Sequence, residues 1–153
     1  MNRRGHMSQL NRCFELLQKI IGLKTQENNV TDEIITLKIG EFSYHFKEHP
    51  MDSIVIYSLF DDLTDISNEK LLNILNENHF SDNELSAVFS YDKQVGCFLN
   101  WNRQKIQQVT QESILSQLEV MIQTNETVQE LLKQDSTINQ WSASLIPRSG
   151  LRC

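Results

Sequence analysis

The sequence predicts an α+β domain built on a five-stranded antiparallel sheet, with elements in the order α-β-β-β-α-β-β-α. Three observations predict it. Apolar residues recur at helical spacing near both ends of the chain, and in two stretches between they alternate with polar residues. The links between successive strands are also too short for the crossover that parallel pairing needs.

The first helix runs from Met7 to about Ile21, where Leu10, Cys13, Phe14, Leu17, Ile20 and Ile21 share one face and Ser8 offers a cap. The period then changes to two. Ile35, Leu37 and Ile39, the tight link Gly40-Glu41, and Phe42, Tyr44 and Phe46 predict a hairpin. After Pro50, residues 53–60 are apolar at both parities, which predicts a third strand covered on both faces. A short second helix is predicted from Ser67 to Asn78, capped by Asp65 or Ser67. Leu85, Ala87, Phe89 and Tyr91, then Cys97, Leu99 and Trp101, predict a second hairpin. From Thr110 to about Lys133, Ile114, Leu118, Met121, Ile122, Val128, Leu131 and Leu132 mark a long third helix whose stripe is interrupted by Asn125. The first and third helices are expected to pack on one face of the sheet.

Residues 7–134 are thus expected as a single domain, and residues 135–153, with Pro147 and Gly150, as a loosely held tail. Gly5-His6-Met7 reads as an expression-vector scar, so residues 1–6 are set apart as vector-derived.

Composition narrows the function. At 153 residues and 39% hydrophobic content the chain can bury a core without staples, and no apolar run approaches a membrane span. No membrane insertion and no secretory signal are expected. Three cysteines, Cys13, Cys97 and Cys153, are an odd number with no paired spacing and suit a reducing cytoplasm, and Cys13 and Cys97 read as buried small hydrophobes. The net charge of −6 is concentrated: residues 41–92 hold eleven acids against Lys47 and Lys70. Such a segment repels phosphate backbones, so nucleic acid is not an expected partner.

No chemistry stands out. The five glycines, at 5, 22, 40, 96 and 150, are too dispersed for a phosphate-cradling loop, and Gly-x-Ser-x-Gly is missing. His45 and His49 read as surface histidines rather than metal ligands, and Asp61, Asp62 and Asp65 as loop and cap residues. No cofactor and no metal are expected. The positive signal is apolar surface that helices on one face would leave uncovered: Ile34, Val55, Tyr57, Leu59, Val88 and Phe98. Either the tail around Trp141 folds back over it or partner chains occupy it.

The element order, size and acidity resemble the class I type III secretion chaperones, the Tir-chaperone family, from about Ser8 to Leu132. The hairpin from Ile35 to Phe46 carries the resemblance, with Leu71 to Asn78 leading into Leu85 to Asp92, and the strand Cys97 to Trp101 before the last helix. The resemblance implies a cytoplasmic bacterial homodimer that works without catalysis or cofactor. It implies contact through the second helix and strands 4 and 5, where Leu71, Leu75, Val88 and Phe98 are the candidates. It also implies that the N-terminal segment of a secreted effector is held extended for the secretion ATPase. Ile34, Val55, Tyr57 and Leu59 are the candidates for receiving that segment by strand addition, with the acidic stretch steering basic clients. A free-standing interaction module binding one folded partner, such as an immunity or adaptor protein, is the alternative, and a small enzyme is a third reading.

Overall fold

The computed structural model describes residues 9–21, 34–49, 52–60, 63, 65–78 and 81–134. The expectations for residues 1–6, for Ser8 as a cap, for Asp61 and Asp62, and for the tail 135–153 lie outside the described residues. Helix α1 (Gln9–Ile21) precedes β1 (Ile34–Ile39), β2 (Phe42–His49) and β3 (Ser53–Phe60); α2 (Asn68–Asn76), β4 (Val88–Asp92), β5 (Cys97–Lys105) and α3 (Gln111–Lys133) follow. The strands form one antiparallel sheet in the order β1-β2-β3-β5-β4.

Local chemistry fixes the turns. Gly40 takes φ 60 at the first of two central hairpin positions, where a type II′ turn needs glycine. Ser67, not Asp65, caps α2 by accepting the Lys70 N–H, and Thr110 and Ser113 form a reciprocal capping box at α3. Strand β4 starts three residues later than the alternation predicts. Asn83 captures the Leu85 N–H through its side chain at 2.9 Å and the Ser86 N–H through its carbonyl at 3.0 Å, so the segment turns before it can pair.

All three helices lie on one face of the sheet. Leu10, Cys13, Phe14 and Leu17 of α1 and Ile114, Leu118 and Met121 of α3 close over Ile35, Leu37, Tyr44, Phe46, Ile54 and Ile56. A second cluster joins Phe60, Leu63, Ile74, Phe89 and Val128 beneath α2 and the end of α3. Burial pushes the Cys13 thiol up, and the nearby Glu48 charge adds to this, so Cys13 sits as an inert thiol within the core.

Two expectations are corrected. Strand β3 is covered on one face by the helices, while on its other face nothing among the described residues packs. Strand β5 is inverted: Asn100, Asn102 and Gln104 point inward and are buried, whereas Cys97, Leu99 and Trp101 face outward and are half-buried. The inversion is stabilised by amides of α3. Asn100 Nδ2 donates to Asn125 Oδ1 at 3.0 Å, Asn102 Nδ2 to the Gln117 carbonyl at 3.0 Å, and Gln104 Nε2 to Gln117 Oε1 at 2.7 Å. Buried amides are tolerated when partnered in this way, and among the described residues Asn100 Oδ1 and Asn125 Nδ2 are the amide atoms left without a partner. Cys97 is accordingly not a core residue, and Phe98 points inward, its ring stacked on Phe89 at 5.4 Å.

Candidate functional site

The face of the sheet opposite the helices carries a shallow trough of about 620 Å³. Strand alternation places every second residue there, and the antiparallel register sorts those residues into rows across the strands. One row reads Ile34, Lys47, Val55, Arg103 from β1 to β5. The next reads Thr36, His45, Tyr57, Trp101, Val88, and the third sets Leu59 beside Leu99 and Ser90.

Aromatic contacts hold the middle row. His45 stacks on Tyr57 with ring centroids 4.9 Å apart, and its Nδ1 hydrogen-bonds Thr36 Oγ1 at 2.8 Å. The Arg103 guanidinium lies 6.0 Å from the centroid of the Trp101 ring. Burial pushes the Tyr57 phenol up, so it stays neutral and able to donate at physiological pH. Burial also lowers the His45 pKa.

That depression has a sign. The unfolded chain binds a proton at His45 more readily than the folded one, so this site lowers stability as pH falls through about 6.5 and has no effect well above it. A His45→Phe variant keeps a ring in the stack and cannot titrate. Denaturation of both proteins between about pH 7.5 and 5.5 should show the wild type losing more stability than the variant. Parallel curves would mean that His45 titrates alike folded and unfolded.

His45 and His49 lie on one strand four residues apart, about 13 Å along the chain, too far to share an ion. Among the described residues no group of three or more His, Cys, Asp and Glu could hold a metal, and no helix is long and apolar enough to cross a membrane.

The structure brings Ile34, Val55, Tyr57 and Leu59 onto one face, with Ile34 and Val55 in the same row. Strand addition is geometrically possible at β1, an edge strand, and not at β3, which is bonded to β2 and β5 on its two sides. Val55, Tyr57 and Leu59 therefore offer side-chain contacts alone. At the other edge, β4, Asn78 already donates to the Phe89 carbonyl at 2.6 Å and accepts the Phe89 N–H at 2.7 Å.

The four residues grouped as a dimer contact are dispersed. Leu71 and Phe98 pack against the second core cluster, Leu75 is exposed on α2, and Val88 belongs to the open face beside Trp101. The exposed apolar side chains near α2 and β4 also include Leu72, Tyr91 and Val95. Helix α2 is tied to α3 by Lys70 Nζ, which donates to the Leu132 carbonyl at 2.7 Å. The acidic stretch is also redistributed. Glu48 accepts the Leu10 N–H, Glu41 accepts from Gln129, and among the described acids between 41 and 92 Asp92 alone lines the trough. Sequence reasoning missed Leu99, Trp101, Lys47 and Arg103. The signal that could have found them was Asn125, whose break in the α3 stripe needs polar partners on a facing strand.

The profile of the Tir chaperone protein (CesT) family matches residues 12–129. A YopE regulator from Yersinia enterocolitica serotype O:8 / biotype 1B is 35% identical over 98 residues, which is 64% of this chain and 73% of that protein. Among solved structures, a chain in the ExoT-SpcS complex from Pseudomonas aeruginosa aligns with a TM-score of 0.59 and 26% identity, covering 75% of this chain and 92% of that one. A chain in the structure of the Yersinia pestis type III secretion chaperone SycH with a stable fragment of YscM2 aligns with a TM-score of 0.60 and 20% identity, covering 79% and 99%.

Proposed function

Because this chain belongs to the Tir chaperone protein (CesT) family and is a type III secretion chaperone that binds effector proteins, we propose that its open sheet face and the edge of β1 receive the N-terminal segment of a secreted effector. The segment is kept extended and soluble there, in the bacterial cytoplasm, until delivery to the secretion apparatus. The observation that carries the reading is the Tyr57–Trp101 row, which nothing among the described residues packs over. An apolar sheet face in water seeks a partner, and an extended chain presents alternate side chains at the spacing of the rows. The homodimer forms through the other apolar surface, around Leu72 and Leu75 of α2 and Tyr91 of β4. Contact with the secretion ATPase belongs to the loaded dimer. The protein acts by binding, without catalysis or cofactor.

A ligand that binds the native state raises its thermal midpoint by mass action. The N-terminal segment of the effector it serves should raise the midpoint by several degrees, and zinc, magnesium and ATP should leave it unchanged. Hydrogen exchange should find the segment protected where it adds to β1 and otherwise open. A client protected as a compact domain, or a midpoint that rises with ATP alone, would overturn the reading.

A further inference from the structure

The open face is chemically polarised along β3, and we propose that it selects a polarised client. The occupant is an extended segment whose apolar side chains sit over the Tyr57–Trp101 and Leu59–Leu99 rows and whose acidic side chain lies between Lys47 and Arg103. The inference rests on the client-binding reading above and adds the chemistry of the client to it.

Three successive rows carry the argument. Lys47 and Arg103 flank Val55 from the two neighbouring strands, both exposed, about 10 Å apart by the spacing of strands. Two residues further along β3 the row is aromatic, and two further still it is aliphatic. At the far end of the trough stands Asp92, opposite Cys97. The gradient from cation to anion therefore spans about 20 Å, the length of some six extended residues.

Among the described residues no carboxylate is hydrogen-bonded to Lys47 or Arg103. The contact of Arg103 with the Trp101 ring consumes none of its N–H groups, which leaves a fork suited to a carboxylate. Asp92 is already engaged, since its Oδ1 accepts the Gln94 N–H at 2.8 Å and the Val95 N–H at 3.3 Å. Its charge disfavours a second acid at that end and so sets the direction of the segment. The whole chain carries −6, so an acidic client gains nothing from long-range steering and must be recognised locally. A second copy of this chain fits less well. Among the described residues lining the trough, two open faces set against each other would offer the cation pair of each copy only the partner's already engaged Asp92.

The test uses the full chain and two fluorescent peptides of about twelve residues with the same alternating Val-Thr body, one ending in a Glu pair and the other in a Lys pair. Anisotropy should show the Glu peptide binding about tenfold more tightly at moderate salt. The preference should reverse in the Lys47→Glu, Arg103→Glu double variant, with circular dichroism and sedimentation unchanged. Tyr57→Ala should weaken both peptides alike. Equal binding of the two peptides, both weakened by Tyr57→Ala, would overturn the polarity and leave the client face standing. Binding of neither would overturn both readings. Loss of the dimer in the double variant would assign the face to a second copy and overturn the proposal.

Discussion

A Gln117→Leu variant is expected to lose about 3 kcal/mol of stability, read as a lower urea midpoint at unchanged slope. Gln117 is fully buried on α3 and serves two strands at once: Nε2 donates to the Ile54 carbonyl at 3.2 Å and to Asn102 Oδ1 at 3.2 Å, and Oε1 accepts from Gln104 Nε2 at 2.7 Å. Leucine fills a similar space but strands the Gln104 donor and the Asn102 acceptor. Each unsatisfied buried group costs about 1–3 kcal/mol, only partly offset by the added apolar burial. Ser116 is exposed next to it, and Ser116→Ala should change stability by less than about 0.5 kcal/mol. Making Asn102 and Gln104 apolar in the Gln117→Leu background should recover part of the loss, because the orphaned groups are then gone. A loss below about 1 kcal/mol for the single variant would mean the amides carry little of the α3 packing.

The second large effect is on assembly. Sedimentation of the native chain at ~10 µM should show a dimer, since a standard interface of ~1,600 Å² commonly holds at or below that concentration. Leu72→Asp with Leu75→Asp should convert it to a folded monomer. Leu72 is 66% and Leu75 39% exposed in the single chain, so the carboxylates cost the monomer little. Burying them unpaired between two chains costs several kcal/mol, enough to abolish a micromolar contact. Leu71→Asp is the contrasting variant. Leu71 packs on the second core cluster, so its replacement should lower the thermal midpoint of the monomer itself. A native chain that sediments as a monomer at this concentration would remove the dimer from the proposal.

Much of the fold was legible because amphipathic periods survive in the elements that pack one face only. Helix α1 and helix α3 emerge within a residue or two of their predicted bounds, and the Gly40 hairpin, predicted from Ile35 to Phe46, runs from Ile34 to His49. Val55, Tyr57 and Leu59 were legible as one surface because β3 is apolar at both parities, and one of them had to lie away from the helices. Strand β5 was not legible. Its alternation is regular, but an alternating strand does not declare which parity goes inside, and apolar residues are the ordinary choice. The choice here is made by residues 13 to 25 positions away on α3, through amide pairs that periodicity does not register. Phe98 was misplaced with it, on the open face rather than the inner one. The start of β4 failed for a local reason, the competition of the Asn83 side chain for backbone N–H groups.

The amide ladder between α3 and β5 also has a consequence in time. Helix α3 is the last described element to leave the ribosome, and it supplies Ile114, Leu118 and Met121 to the main cluster and Val128 to the second. Until it arrives, Asn100, Asn102 and Gln104 lack the α3 amides that partner them in the folded chain. During synthesis the polar inner side of β5 therefore waits uncovered beside a face that α1 can already close. Docking of α3 supplies the missing partners, so burial of the β5 amides is completed only once that helix has been translated.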